Sequence, residues 1–109
     1  MIISFQNPDL EQLCTQQREA TKRLGAPGFR KLRARLADLD AAETVRDLTT
    51  GRPHPLKGDR AGQFAVDLVG GLRLVFRPTE DPPPLDANEA TDWSQVRSIC
   101  IVFIGDYHD

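Results

Sequence analysis

The chain holds two histidines, His54 and His108, and each stands where an imidazole could do chemistry. Histidine is the side chain whose charge changes nearest neutrality, so either ring can take or give a proton. His54 opens a Pro-flanked loop in which Lys57 and Arg60 follow closely, and Arg73 and Arg77 come next on a largely apolar stretch. His108 closes the triplet Asp106, Tyr107, His108, just past another apolar run. Guanidinium and ammonium groups around a proton-transferring ring outline an anion site, because arginine can hold two phosphate oxygens at once and keeps its charge. The residues alone also allow a plainer reading, with His54 an ordinary loop histidine and His108 part of a frayed tail.

These side chains need a frame that brings distant segments together. Residues 63–69 and 72–77 read as a β-hairpin across Gly70 and Gly71, a dipeptide that accepts the positive φ of a tight two-residue turn. Phe64, Val66 and Leu68 alternate on the first strand, and Leu72, Leu74 and Phe76 on the second. The period of two sends these rows to a core and leaves Arg73 and Arg77 on the other face, with Val75 between them. The expectation is a ring of His54, Lys57, Arg60, Arg73 and Arg77 around one sheet edge.

Residues 2–5 are a short apolar run with strand character. Asn7, Pro8 and Asp9 make a helix start: an N-cap side chain, a proline at the first helical position, and an acid at the positive end of the dipole. That helix is expected to run to about Leu24 and stop at Gly25. A second helix carries Phe29, Leu32, Leu36 and Leu39 at three- and four-residue steps, and so short a link predicts an antiparallel helical hairpin. Asp40 and Glu43 have the spacing of a capping box that would start a short helix with Val45 and Leu48. Residues 97–104 are apolar on both faces and read as a central strand. Before them, residues 78 to about 96 combine Pro78, Pro82, Pro83 and Pro84 with acids, which predicts a long exposed loop pinned by Trp93.

A chain of 109 residues predicts one domain, 1–109. No apolar run approaches a membrane span, and the first residues lack the charged start and apolar block of a signal peptide, so a cytoplasmic protein without membrane contact is expected. Cys14 and Cys100 sit within apolar patterns and read as small buried hydrophobes. Neither has a second Cys or His at ligand spacing, and no metal or cofactor is expected. The net charge of −2 argues against a nucleic-acid binder, but its distribution does not. Glu80, Asp81, Asp86, Glu89 and Asp92 share one segment, and without them the net charge becomes +3. Arg18, Lys22, Arg23, Arg30, Lys31, Arg33 and Arg35 face only Glu19 over their stretch, so the chain is polarised rather than acidic.

The run HPLKGDRAGQFAVDL, then GG, then LRLVF, with a last strand ending in DYH, resembles the HigB-like killer proteins of the RelE/ParE toxin superfamily. The similarity spans nearly the whole chain, including KLRARLADLDAAET at the second helix, and is strongest over residues 54–77 and 99–108. It is nearest to a bacterial subgroup with a Pro-rich acidic insertion and DW before the last strand, often labelled plasmid maintenance killer or killer suppression protein. The resemblance implies an α+β fold: two helices packed on a curved, mainly antiparallel sheet in the order β-α-α-β-β-β. The elements read above already follow that order.

It further implies the toxin of a type II toxin–antitoxin pair, neutralised by a HigA-like helix-turn-helix antitoxin and cutting mRNA in the ribosomal A site without a metal. Such cleavage needs a base for the 2′-hydroxyl, an acid for the leaving 5′-oxygen and cations for the charged phosphorane. On this resemblance His54 and His108 share the acid–base work, Asp106 orients a ring, and Tyr107 stacks on a base or assists proton transfer. Arg73, Lys57, Arg60 and Arg77 would bind the scissile phosphate and its neighbours, and the cations of the helices would suit ribosomal RNA. Other members of the superfamily poison gyrase. A non-enzymatic inhibitory binder of gyrase or of ribosome assembly, or an attenuated toxin that mainly binds its antitoxin, would use the same surface.

Overall fold

Strand β5, Ser98–Gly105, lies inside a five-stranded sheet of order β1-β5-β4-β3-β2. The other strands are β1 (Ile2–Phe5), β2 (His54–Pro55), β3 (Phe64–Asp67) and β4 (Arg73–Pro78). The computed structural model describes residues 1–106. β1 runs parallel to β5, and every other pairing is antiparallel. A strand apolar on both sides needs cover on both, and β5 has it. Ile99 and Ile101 are fully buried in the main core, whereas Val102 and Phe103 pack on a second, smaller cluster. The β4–β5 register slips between Val75 and Phe76, opposite Phe103 and Ile101, and this bulge lets both Val102 and Phe103 serve the smaller cluster. β2 is an addition to the expected order: a two-residue edge strand, one residue of which is Pro55.

The β3–β4 turn is close to expectation. The Leu72 N–H donates to the Val69 carbonyl at 3.2 Å, and Gly70 takes φ 62° at the first central position. Only that glycine needs the left-handed region, the pattern of a type II′ turn.

Helix α1, Pro8–Thr15, begins as its residues dictate, with the Asn7 side chain accepting from the Leu10 N–H at 2.9 Å. It ends sooner than expected. Gln16 is extended, and α2, Gln17–Ala41, follows at once. An Arg23–Asp9 ion pair of 2.9 Å ties the first turn of α1 to residue 23, so the chain folds back at Gln16 rather than first at Gly25. Gly25 still breaks α2, with φ 75° and ψ 168°, and Pro27 falls in the first turn of the arm that follows, where its missing N–H does no harm. The expected capping box at Asp40 and Glu43 is not used, because α2 continues through Asp40 to Ala41. Thr44 starts a 3₁₀ turn, Val45–Asp47, with its N–H donating to Asp47 Oδ2 at 3.0 Å.

The main core lies between the helices and one face of the sheet. Leu13, Leu32 and Leu39 meet Leu74, Phe76, Ile99 and Ile101 there. Trp93 joins this core, 6% exposed, with its ring 4.9 Å from that of Phe64. The proline-rich acidic segment is therefore pinned by Trp93 as expected, and pinned on the helix side. No ion pair among the described residues joins its acids to Lys57, Arg73 or Arg77. No helix among the described residues is long and apolar enough to cross a membrane.

Trp93→Ala should cost about 3–5 kcal/mol in urea unfolding, since it empties a large site in the core. Leu85→Ala in the same segment, 54% exposed, should stay within about 0.5 kcal/mol. Burial pushes the Cys14 thiol from 9.0 up to about 12. In the native protein iodoacetamide should label Cys14 slowly at pH 8.5 and rapidly once urea is added. Because the unfolded thiol ionises first, the chain should lose stability as the pH climbs from about 9 to 12, and Cys14→Ala should flatten that slope.

Candidate functional site

The sheet face turned away from the main core carries the candidate site. Register assigns its rows. His54 pairs with Ala65, Ala65 with Val75, and Val75 with Phe103, so these four share one row. Two residues along, Asp67, Arg73 and Gly105 form the next row. On the other side of the first row, Arg77 pairs with Cys100. His54 and Arg73 are thus two strands and one row apart, about 12 Å between Cα atoms on ideal spacing. Long side chains can close around one phosphate across that gap. Between them Leu56 folds over Ala65 and Val75, which gives the cationic face a dry apolar floor.

His54 is half-buried, and its Nδ1 lies 2.7 Å from the Arg52 carbonyl oxygen. A carbonyl can only accept, so Nδ1 carries the hydrogen and, in the neutral ring, Nε2 carries the lone pair. The imidazole is therefore preset with its basic nitrogen directed away from its own backbone. Arg52 holds φ 48°, an uncommon conformation for a side-chain-bearing residue, directly after Gly51 at φ 84°.

The predicted cations are not equivalent. Lys57 is exposed. Arg60 lies over the Phe103 ring, 4.6 Å from its centroid, and donates to Gln63 Oε1 at 3.1 Å. Arg77 donates to the Pro78 carbonyl at 3.0 Å. Arg73 reaches Asp67, with its Nε 2.8 Å from Oδ1, and donates through Nη1 to the Leu72 carbonyl at 3.2 Å. Asp106 is exposed, and its carboxylate lies against the hairpin turn, 2.7 Å from where a β-carbon on Gly71 would stand. Tyr107 and His108 lie outside the described residues. The structure thus gathers His54, Arg60, Arg73 and Arg77 on one face, with Lys57 on the adjoining loop and Asp106 at the rim.

Asp67 and Arg52 were not singled out from the sequence, and Arg35 was read there only as one of the helical cations. Asp67 accepts from Arg52 Nε at 3.1 Å through Oδ2, beside its contact with Arg73. Arg35, 9% exposed, reaches across from α2 to donate to the Asp67 main-chain carbonyl at 3.3 Å and to Asp38 Oδ2 at 2.8 Å. Asp67 did carry a signal: it interrupts an apolar strand with the same parity as Ala65, hence on the open face. Arg35 carried none, one cation among many on its helix. Of the other helical cations, Arg23 is paired with Asp9, while Arg18, Lys22, Arg30, Lys31 and Arg33 are exposed. Among the described residues no group of three or more His, Cys, Asp or Glu could hold a metal ion.

No protein-family model matches the chain, and no curated protein matches its sequence. Solved structures do. The chain is similar to a YoeB/ParE toxin from Agrobacterium tumefaciens, with a TM-score of 0.62 and 16% identity over 99% of this chain and 100% of that one. It is also similar to the YoeB dimer from Staphylococcus aureus, with a TM-score of 0.58 and 17% identity over 100% and 98%. What is shared is the fold, two helices on a mostly antiparallel sheet in the order β-α-α-β-β-β.

Gly51 is where the site and the fold meet. Its carbonyl accepts from the Asp67 N–H at 2.6 Å, and a β-carbon there would stand 2.6 Å from Arg35 Nε. Gly51→Ala should therefore cost about 1–3 kcal/mol in urea unfolding, through the positive φ and the displaced Arg35 together.

Proposed function

We propose that the chain is the toxin of a toxin–antitoxin pair, that it cuts mRNA in the ribosomal A site without a metal, and that a HigA-like helix-turn-helix antitoxin neutralises it. One observation carries the reading: an imidazole of fixed tautomer, His54, on a cationic sheet face, within a fold shared with YoeB/ParE toxins. In this mechanism His54 Nε2 takes the proton of the attacking 2′-hydroxyl, and the oxygen closes on the adjacent phosphorus. The charge gathered on the phosphorane is stabilised by Arg73, with Lys57, Arg60 and Arg77 holding neighbouring phosphates. His108 delivers a proton to the departing 5′-oxygen, Asp106 sets a ring orientation, and Tyr107 stacks on a base; these last roles rest on the HigB-like pattern of the sequence. The exposed cations of α2 add attraction to ribosomal RNA that weakens with salt.

Induced expression with mapping of mRNA 5′ ends tests this. The wild type should give cuts phased to codons, and His54→Ala, His108→Ala and Arg73→Ala should each slow them by about 10²- to 10³-fold while leaving the fold intact by circular dichroism. Growth arrest with no cuts would instead identify an inhibitory binder of gyrase or of ribosome assembly. Neither arrest nor cuts, with the antitoxin still bound, would identify an attenuated toxin.

A further inference from the structure

Asp67 places a negative charge among His54, Arg60, Arg73 and Arg77, and its surroundings say which partner yields. Its backbone is fixed three ways: by the β3–β4 pairing, by its N–H to Gly51, and by Arg35 on its carbonyl. The short carboxylate therefore has little reach with which to withdraw. Arg73 can withdraw, being a long side chain held at its tip. The contact between them is also poorly directed: Nε and Oδ1 are 2.8 Å apart, yet buried Oδ1 receives no aligned hydrogen bond. Attraction of this kind holds Arg73 without locking it. Nε faces Asp67 and Nη1 donates to the Leu72 carbonyl, so the carboxylate lies on the Nε edge of the guanidinium. A phosphate that forks onto the Nε edge of the guanidinium must displace Asp67, and one that takes another edge still shares the charge with the carboxylate.

We propose that Asp67 is a built-in competitor for Arg73 and sets how tightly the open face binds a phosphodiester backbone. The inference rests on the phosphate-binding reading of this face and adds its specificity-determining residue. A ligand with closely spaced phosphates, such as single-stranded RNA, overcomes the carboxylate, and an isolated weak anion does not. Arg52, on the other carboxylate oxygen, holds Asp67 in place when Arg73 leaves.

The test measures binding of a fluorescein-labelled, 2′-O-methylated oligonucleotide to the full chain by anisotropy across salt concentrations; the probe cannot be cut, so binding is read apart from cleavage. Asp67→Asn should bind about 5- to 10-fold tighter at low salt, with a log–log salt slope steeper by about 0.7, the share of one further phosphate contact on a single strand. Asp67→Asn with Arg73→Ala should lose the gain, and Asp86→Asn, a charge removed from the acidic loop, should leave affinity unchanged. A folded Asp67→Asn that binds like the wild type or more weakly overturns the proposal, as does a gain that persists without Arg73. Should Asp67→Asn not fold, the wild type decides: the Arg73 Nε–H resonance should shift in step with the anisotropy during the titration, and a resonance unmoved at saturation overturns it. Loss of codon-phased cuts with the Asp67→Asn gain intact would remove only the nuclease reading. Cuts with no such gain would remove only this one.

Discussion

A strand with apolar side chains on both faces can only sit where both faces are dry, and β5 imposes that condition on everything around it. Its edges are taken by β1 and β4, which fixes the sheet order. One face is covered by α1 and α2. The other receives Leu56 from the loop after His54, a small lid rather than a layer. That asymmetry creates the site. A face covered by one short loop keeps room for charged side chains at its margins, and the sheet supplies them from several strands at a fixed spacing.

The charges are then arranged rather than merely collected. Arg35 crosses from α2 to the end of β3, Gly51 leaves it space, and Asp67 links that corner to Arg52 and Arg73. His54 is oriented from the same corner, through the carbonyl of Arg52. Helix packing, loop geometry and the electrostatics of the face therefore meet at Asp67. The acidic segment takes no part in this, because Trp93 fastens it to the core on the helix side.

Much of this was legible. Period-two alternation placed Arg73 and Arg77 opposite the core, and the doubly apolar run at 99–104 marked the central strand; both follow from burial, which a sequence records directly. Helix starts were legible for the same kind of reason, since the cap at Asn7 is a local hydrogen bond. What escaped notice was set by tertiary contact. Gln16 has no turn chemistry of its own, and the fold-back there is held by Arg23 reaching Asp9. The boundary of α2 passed Asp40 because the local capping signal was outweighed by continuing the helix. Arg35 looked like one more exposed cation, and only its packing against Gly51 and Asp67 makes it an internal strut. The partnership of Arg73 with Asp67 was hidden because a six-residue separation across a hairpin can be read for parity but not for side-chain direction.

The sheet margins carry a consequence for how the molecule behaves in company. β2 offers two residues, one a proline with no amide hydrogen, and β1 offers four before the chain turns at Asn7 and Pro8. Rims so short and interrupted make poor templates for another chain's backbone. Edge-to-edge pairing between copies is thereby disfavoured, and the side chains of the open face, rather than the strand rims, are the larger surface the sheet offers.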